Sequence, residues 1–148
     1  YINIFKVDDG SQCINISFFE DKYLKYKNII KEDTILFFNG EVFIDDYNSQ
    51  LSMRAESVFT LDVAREKYSK YLRIVLSSDH VSKEKIYGIK EIISKNNSGK
   101  TKVILSYKNR DVIVPVSSKE DIYVNINDKL LSEIRSIAGY ENVEIKYQ

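Results

Sequence analysis

The sequence is poor in the residues that staple, ligate or catalyse. It has one cysteine, Cys13, so no internal disulfide can form and a cysteine-rich zinc site is excluded. Its one histidine, His80, has no second histidine for a metal site and no nearby cysteine for a nucleophilic pair. No apolar run approaches the length of a membrane span, and no charged-then-apolar leader opens the chain. Neither charge sign is in excess: 22 Lys and Arg balance 22 Asp and Glu. A dedicated nucleic-acid binder is usually more basic, so any such binding must be local. These absences point to a soluble, cytoplasmic protein with no membrane partner.

What is present is an ordinary globular balance. The 148 residues are 43% hydrophobic and 30% charged, which suits one domain or two small ones. The chain opens on Tyr1-Ile2-Asn3-Ile4-Phe5, already alternating and without a Met, which reads as part of something longer. Ile2 and Ile4 fall on one face of this strand, with Tyr1, Asn3 and Phe5 on the other. Asp8-Asp9-Gly10-Ser11 is a turn cluster, and Cys13–Phe19 resumes the alternation, so the pair predicts an antiparallel hairpin. Glu20–Ile30 has helical spacing. Thr34–Phe38 and Val42–Ile44 read as strands divided by Gly40, where an isolated glycine marks a bulge or bend. Leu51–Val58 is a further strand. Strand, strand, helix, strand, strand is close to a five-stranded OB barrel whose first strand is missing. A small antiparallel sheet with one helix fits the same pattern.

Leu61–Tyr71 predicts a connecting helix with Asp62 as N-cap. Leu72–Ser77 is a strand. Ser82 caps a helix with Ile86, Ile89 and Ile93 on one stripe, and Gly99 suits a left-handed position near its end. Thr101–Tyr107 and Arg110–Val116 form a hairpin turning at Lys108-Asn109, with Pro115 confining its second strand to an edge. Tyr123–Ile126 is short and extended. Asp128 or Asn127 caps a helix carrying Leu130, Leu131, Ile134 and Ile137, and Val143–Tyr147 is a last strand. The expected class is mixed α+β. An OB-like barrel over residues 1–58 precedes a connecting helix over 59–71 and a small α+β sandwich over 72–148, its helices on one side. Charge divides with the pattern: residues 1–58 carry a net −4 and the remainder +4.

Asp8-Asp9-Gly10, Lys25-Tyr26, Asp33, Ile35-Leu36, Gly40-Glu41-Val42, Asp45-Asp46, Met53, Ala55 and Asp62-Val63-Ala64-Arg65-Glu66-Lys67-Tyr68 form an ordered series. It continues through Leu72-Arg73-Ile74-Val75-Leu76, Ser98-Gly99, Asp128-Lys129-Leu130-Leu131, Ile134-Arg135, Ala138-Gly139 and Val143-Glu144-Ile145-Lys146-Tyr147. Taken together these resemble the C-terminal region of the bacterial replicative DNA polymerase III alpha subunit, over essentially the whole chain. The resemblance implies an OB domain that handles single-stranded template DNA, followed by a domain that contacts the tau subunit of the clamp loader. In that family the DNA-directed DNA polymerase centre, with its palm carboxylates, lies upstream. This chain is therefore expected to bind and organise beside the upstream polymerase core, with no catalytic residue, metal or cofactor of its own.

On an OB fold, strands two and three make the binding face. Here that face would carry Tyr1, Asn3, Phe5, Asn15 and Ser17, with Lys6 at the strand end. Aromatic rings stack on bases without sequence preference and a lysine meets phosphate. The plain alternative is that Phe5 packs under a loop and Lys6 is solvated. Asp8 and Asp9 repel phosphate and suit a turn better than a magnesium site, since two adjacent acids lack a third ligand. Arg65, Lys67, Lys70 and Arg73 form either a basic stripe or, more simply, a solvated helix face, and the cluster of Lys83, Lys85, Lys90, Lys95, Lys100 and Lys102 reads as a solvated face. His80 reads as a loop residue. Val143, Ile145 and Tyr147 alternate along the last strand. The resemblance makes them candidates for the tau contact, and pattern alone makes them an ordinary strand.

Overall fold

The computed structural model describes residues 1–79, 81–116 and 120–148; the His80 reading falls outside them. The chain divides into two compact units, Tyr1–Leu61 and Asp62–Gln148.

In the first unit β1 (Ile2–Asp8) and β2 (Cys13–Phe19) form the expected hairpin, with Phe5 opposite Ile16 and Val7 opposite Ile14. Asp8 and Asp9 build the turn. Asp8 accepts from the Gly10 amide at 2.8 Å, and Asp9 accepts from the Ser11 amide, the Ser11 hydroxyl and the Gln12 amide at 2.7–2.9 Å. Helix α1 (Glu20–Tyr26) follows, shorter than the spacing suggested. β3 (Leu36–Ile44) then pairs antiparallel with β4 (Leu51–Thr60). Two expected strands are thus one, β3, with a bulge between Asn39 and Gly40. Glycine is needed there because a Cβ would lie 2.1 Å from the Arg54 carbonyl oxygen. Strand order is β1-β2-β4-β3, with β2 and β4 parallel. This order is consistent with the OB-like unit expected, and the sheet is open rather than a closed barrel, with β1 and β3 as its edges. The core is Ile16, Phe18, Ala55 and Val58, joined by Phe5, Val7, Ile14, Tyr23 and Phe38. At the open edge the inward positions Val42 and Ile44 are 50% and 66% exposed.

Helix α2 (Leu61–Tyr68), which lies in the second unit from Asp62 on, passes straight into β5 (Ser69–Ser77). The helix therefore stops three residues short of the expected Tyr71, and Asp62 lies inside its first turn rather than at its cap. Tertiary pairing explains the early stop: Ser69 is already registered with Tyr147 of β9 (Val143–Tyr147). Helix α3 (Lys83–Lys95) crosses over from β5 to the parallel strand β6 (Thr101–Asn109). Ser82 caps α3, accepting from the Lys85 amide at 3.3 Å. Ile89 and Ile93 are buried, while Ile86, expected on the same stripe, is 48% exposed. The hairpin to β7 (Val112–Pro115) turns at Arg110 and Asp111, two residues later than expected, and Pro115 does sit on an outer strand. β8 (Tyr123–Val124) pairs with the start of β6. Asn127 caps α4 (Asp128–Ala138) by accepting from the Leu130 amide at 2.8 Å. The sheet order is β7-β6-β5-β9. Leu72, Ile74, Val103 and Val143 on the sheet pack with Ile89 and Ile93 of α3 and Leu130, Leu131 and Ile134 of α4. This is the small α+β layer arrangement expected, with both helices against one sheet face.

Gly99 is not left-handed, since the positive-φ glycines are Gly10 and Gly139. Its requirement is space: a Cβ would lie 2.0 Å from the Val124 carbonyl, where β8 crosses the loop after α3.

Candidate functional site

The side chains of β1 and β2 alternate between a core face and an outer face. Register decides which is which. Phe5 is drawn inward against Phe18, with ring centroids 6.3 Å apart, and against Tyr23 at 5.7 Å. Asn3 shares that inward face by alternation. Ile2, Ile4 and Lys6 consequently point outward, and Ile2 and Ile4 are 60% and 68% exposed. The candidate face predicted from sequence is therefore split. Lys6, Asn15 and Ser17 lie together on the outer face, Asn3 and Phe5 belong to the core face, and Tyr1 stands fully exposed at the strand start.

The outer face is ordered in rows across the sheet. One row runs Lys6, Asn15, Ser52, Phe43, each opposite the next on the neighbouring strand. The next row runs Ile4, Ser17, Arg54, Glu41. Ile2 and Phe19 face each other beyond it. Arg54 is the centre of this surface. Its guanidinium lies 5.4 Å from the Phe43 ring centre and 6.0 Å from that of Phe19, within cation–π range. It also makes a 3.6 Å ion pair with Glu41 while its side chain stays half exposed. A cavity of about 230 Å³ opens among these rows, between Ile4, Ser52, Arg54 and the two phenylalanines, with Asp45 also on its wall. Such a surface offers ring faces, hydrogen-bonding side chains and two cations. Phe19, Phe43, Ser52 and Arg54 were missed from sequence. Phe19 was legible, because it stands opposite in phase to Ile14, Ile16 and Phe18. Phe43, Ser52 and Arg54 were not, since only the β2–β4 register brings them beside Asn15 and Ser17.

Several of the other candidates are engaged within the fold. Arg65, its side chain 15% exposed, donates to Asp128 at 2.6 Å. Burial works against its charge, but Asp128 and the Tyr147 hydroxyl outweigh it and raise its pKa above the ordinary arginine value. Arg73 is paired with Glu144, Lys95 with Glu91 and Lys102 with Asp121. Hence the basic stripe along α2 and β5 does not present all its charges to a phosphate backbone. On the last strand Val143 is 4% exposed and Ile145 packs on the core, so neither presents its side chain freely; Tyr147 is 47% exposed. Among the described residues no group of three or more His, Cys, Asp or Glu could hold a metal ion. No described helix is long and apolar enough to cross a membrane.

No family model matches the chain. Curated relatives do. It is 30% identical over 146 residues to the DNA polymerase III subunit alpha of Escherichia coli O157:H7, and equally to that of strain K12. It is 25% identical to the subunit of the same name from Vibrio cholerae. Each match covers 99% of this chain but 13% of the relative, so the chain spans about an eighth of the length of these proteins. The resemblance carried by the ordered series from Asp8 to Tyr147 is thus shown, and this chain is homologous along nearly its whole length to a segment of the DNA polymerase III alpha subunits.

Proposed function

We propose that this chain serves DNA replication as a non-catalytic segment of a polymerase alpha subunit. Its first unit handles single-stranded template weakly, and its second unit docks on the tau subunit of the clamp loader, beside the upstream polymerase core of the same chain. The outer sheet face carries the DNA part of this reading. Phe19 and Phe43 flank Arg54, with Lys6 one row over and two strands away, and rings beside cations suit a stripped, unpaired strand. Weak binding suffices, because a polymerase already on DNA presents the strand at high local concentration. For the tau contact the support is the family resemblance, together with the partly exposed Tyr147 at the end of β9.

A second reading is a structural, protein-binding module that never touches DNA. The net charge of −4 on the first unit favours it, since phosphate attraction supplies most non-specific affinity. Fluorescence anisotropy of a labelled single-stranded oligonucleotide, titrated at low and at physiological salt, separates the two. Template handling predicts affinity that falls steeply with salt and about tenfold in Arg54→Ala. Absence of binding at low salt would sink it and leave docking, which calorimetric titration with purified tau subunit tests directly.

A further inference from the structure

We propose that the second unit seats a helix of another protein, amphipathic and acidic along one border, on the bare face of β7 beside α3. This goes beyond the function proposed above, because β7 and β9, which carries Tyr147, are opposite edges of the sheet. The starting observation is that the helix layer stops short of β7. Val114 stands opposite Tyr107, and the Val116 amide donates to the Leu105 carbonyl at 2.7 Å. Leu105 packs on the core beneath the helices, so by alternation Tyr107, Val112, Val114 and Val116 share the helix-bearing face. Yet the three valines are 52–60% exposed and Tyr107 is 39% exposed. A contiguous apolar face left bare on a folded unit marks an interaction site.

Helix α3 supplies the wall. Its Ile89 and Ile93 are buried against the sheet, and Gly88 faces Ile137 of α4, which packs toward β5 and β9. At about 100° per residue, the flank of α3 turned away from α4, and so toward β7, carries Ile86, Lys90 and Lys83. This is why Ile86 stays half exposed: no element covers that flank among the described residues. Neither lysine has an ion-pair partner among the described residues, and no acid falls on the arc from Ile86 to Lys83. The two lysines are about 10 Å apart along the helix axis, close to the length of about 14 Å from Val112 to Val116. An apolar floor beside a cationic wall complements an apolar stripe bordered by acids, and a helix laid in a groove presents that combination. A strand fits this edge poorly. With the Val116 amide turned to β6, Ile113 and Pro115 face the free side, and Pro115 has no N–H to offer an added strand. A helix needs none.

The test uses the 148-residue chain and two labelled peptides of about 18 residues, both with leucines at i, i+3 and i+7 spacing. One carries glutamates seven residues apart beside the leucines, and the other carries lysines in their place. In anisotropy titrations at low salt the glutamate peptide should bind about tenfold more tightly than the lysine peptide, and salt should narrow the gap. Circular dichroism should show the glutamate peptide gaining helix as it binds. Val114→Arg alters a half-exposed side chain, so its melting curve should be unchanged while peptide binding weakens about tenfold. The double variant Lys83→Glu, Lys90→Glu should reverse the preference between the peptides. Equal affinities of the two peptides, binding indifferent to Val114→Arg, or no binding of either peptide at millimolar concentration would each overturn the proposal. So would a peptide that binds without gaining helix, which would mean strand addition. A dimer in sedimentation that Val114→Arg dissociates would overturn it too, by showing that a second copy of this chain covers the face.

Discussion

At the scale of single residues, Asp8, Asp9 and Gly40 of the first unit are structural. The Ser11 hydroxyl, then the Gln12 and Ser11 amides, donate to Asp9 and hold its carboxyl at about 2, well below the ordinary 3.8. A folded value below the unfolded one means the carboxylate stabilises the turn fully above pH 3.8 and loses that contribution as pH falls toward 2. NMR titration should therefore place the Asp9 midpoint near 2, and Asp9→Ala should abolish the associated shift changes at Ser11 and Gln12. A midpoint near 4 would show that the turn bonds do not persist in solution. Gly40 acts by its lack of a side chain. An alanine there would thrust a Cβ against the Arg54 carbonyl, so Gly40→Ala should destabilise the first unit by about 1–3 kcal/mol in urea melts. The glycine was recognisable from sequence as a bulge marker. The atom that demands it, on another strand, was not.

At the scale of elements, β1 shows how a pattern can be right in period and reversed in sense. Ile2 and Ile4 outnumber Phe5 in aliphatic character, so they read as the core side. Phe5 and Val7 are the pair that packs, because the hairpin sets them opposite Ile16 and Ile14, and a one-residue slip would invert every side chain. The far end of the strand carried the clue: Lys6 and Asp8 share the phase of Ile2 and Ile4, and charged residues belong outside. Helix α2 is tied to α4 in a way that spacing cannot reveal. Arg65 and Asp128 are far apart in sequence, yet their 2.6 Å contact fastens one helix to the start of the other. Asp128→Asn should leave a mostly buried guanidinium with only its longer, 3.5 Å pair to Asp62. The expected loss is about 1.5–3 kcal/mol of second-unit stability, measured by thermal melts and reduced at high salt. An unchanged melting temperature would mean solvent replaces the carboxylate at no expense.

At the scale of the whole molecule, each unit has its own hydrophobic core, one built on Phe18 and one on Leu72 and Ile74. Truncating Ile74, which is fully buried beneath α3 and α4, should cost about 2–5 kcal/mol in the second unit. Hydrogen exchange should then rise across β5, β6 and α4 while β2 and β4 keep their protection. Loss of protection in both units would show that they unfold as one. The charge division, −4 on residues 1–58 and +4 on the rest, also belongs to this scale. It makes the salt dependence of oligonucleotide binding a test of the few cations on the outer sheet face rather than of a general basic field.

Local interactions are written in the order of residues, and these the sequence alone determined: the mixed α+β class, the hairpin turn at Asp8–Ser11, the cap at Ser82, the bulge at Gly40 and the family likeness, while the choice of Asn127 over Asp128 as the cap of α4 waited on the structure. Interactions between strands distant in sequence depend on register, which a single chain does not spell out. The tertiary structure alone decided that Phe5 faces inward, that α2 ends at Tyr68, and that Gly99 serves contact rather than turn geometry. It also decided that Ser52 and Arg54 stand beside Asn15 and Ser17. The parallel pairing of β2 with β4, 37 positions apart at Asn15 and Ser52, assembles that surface, and nothing within either strand by itself announces it.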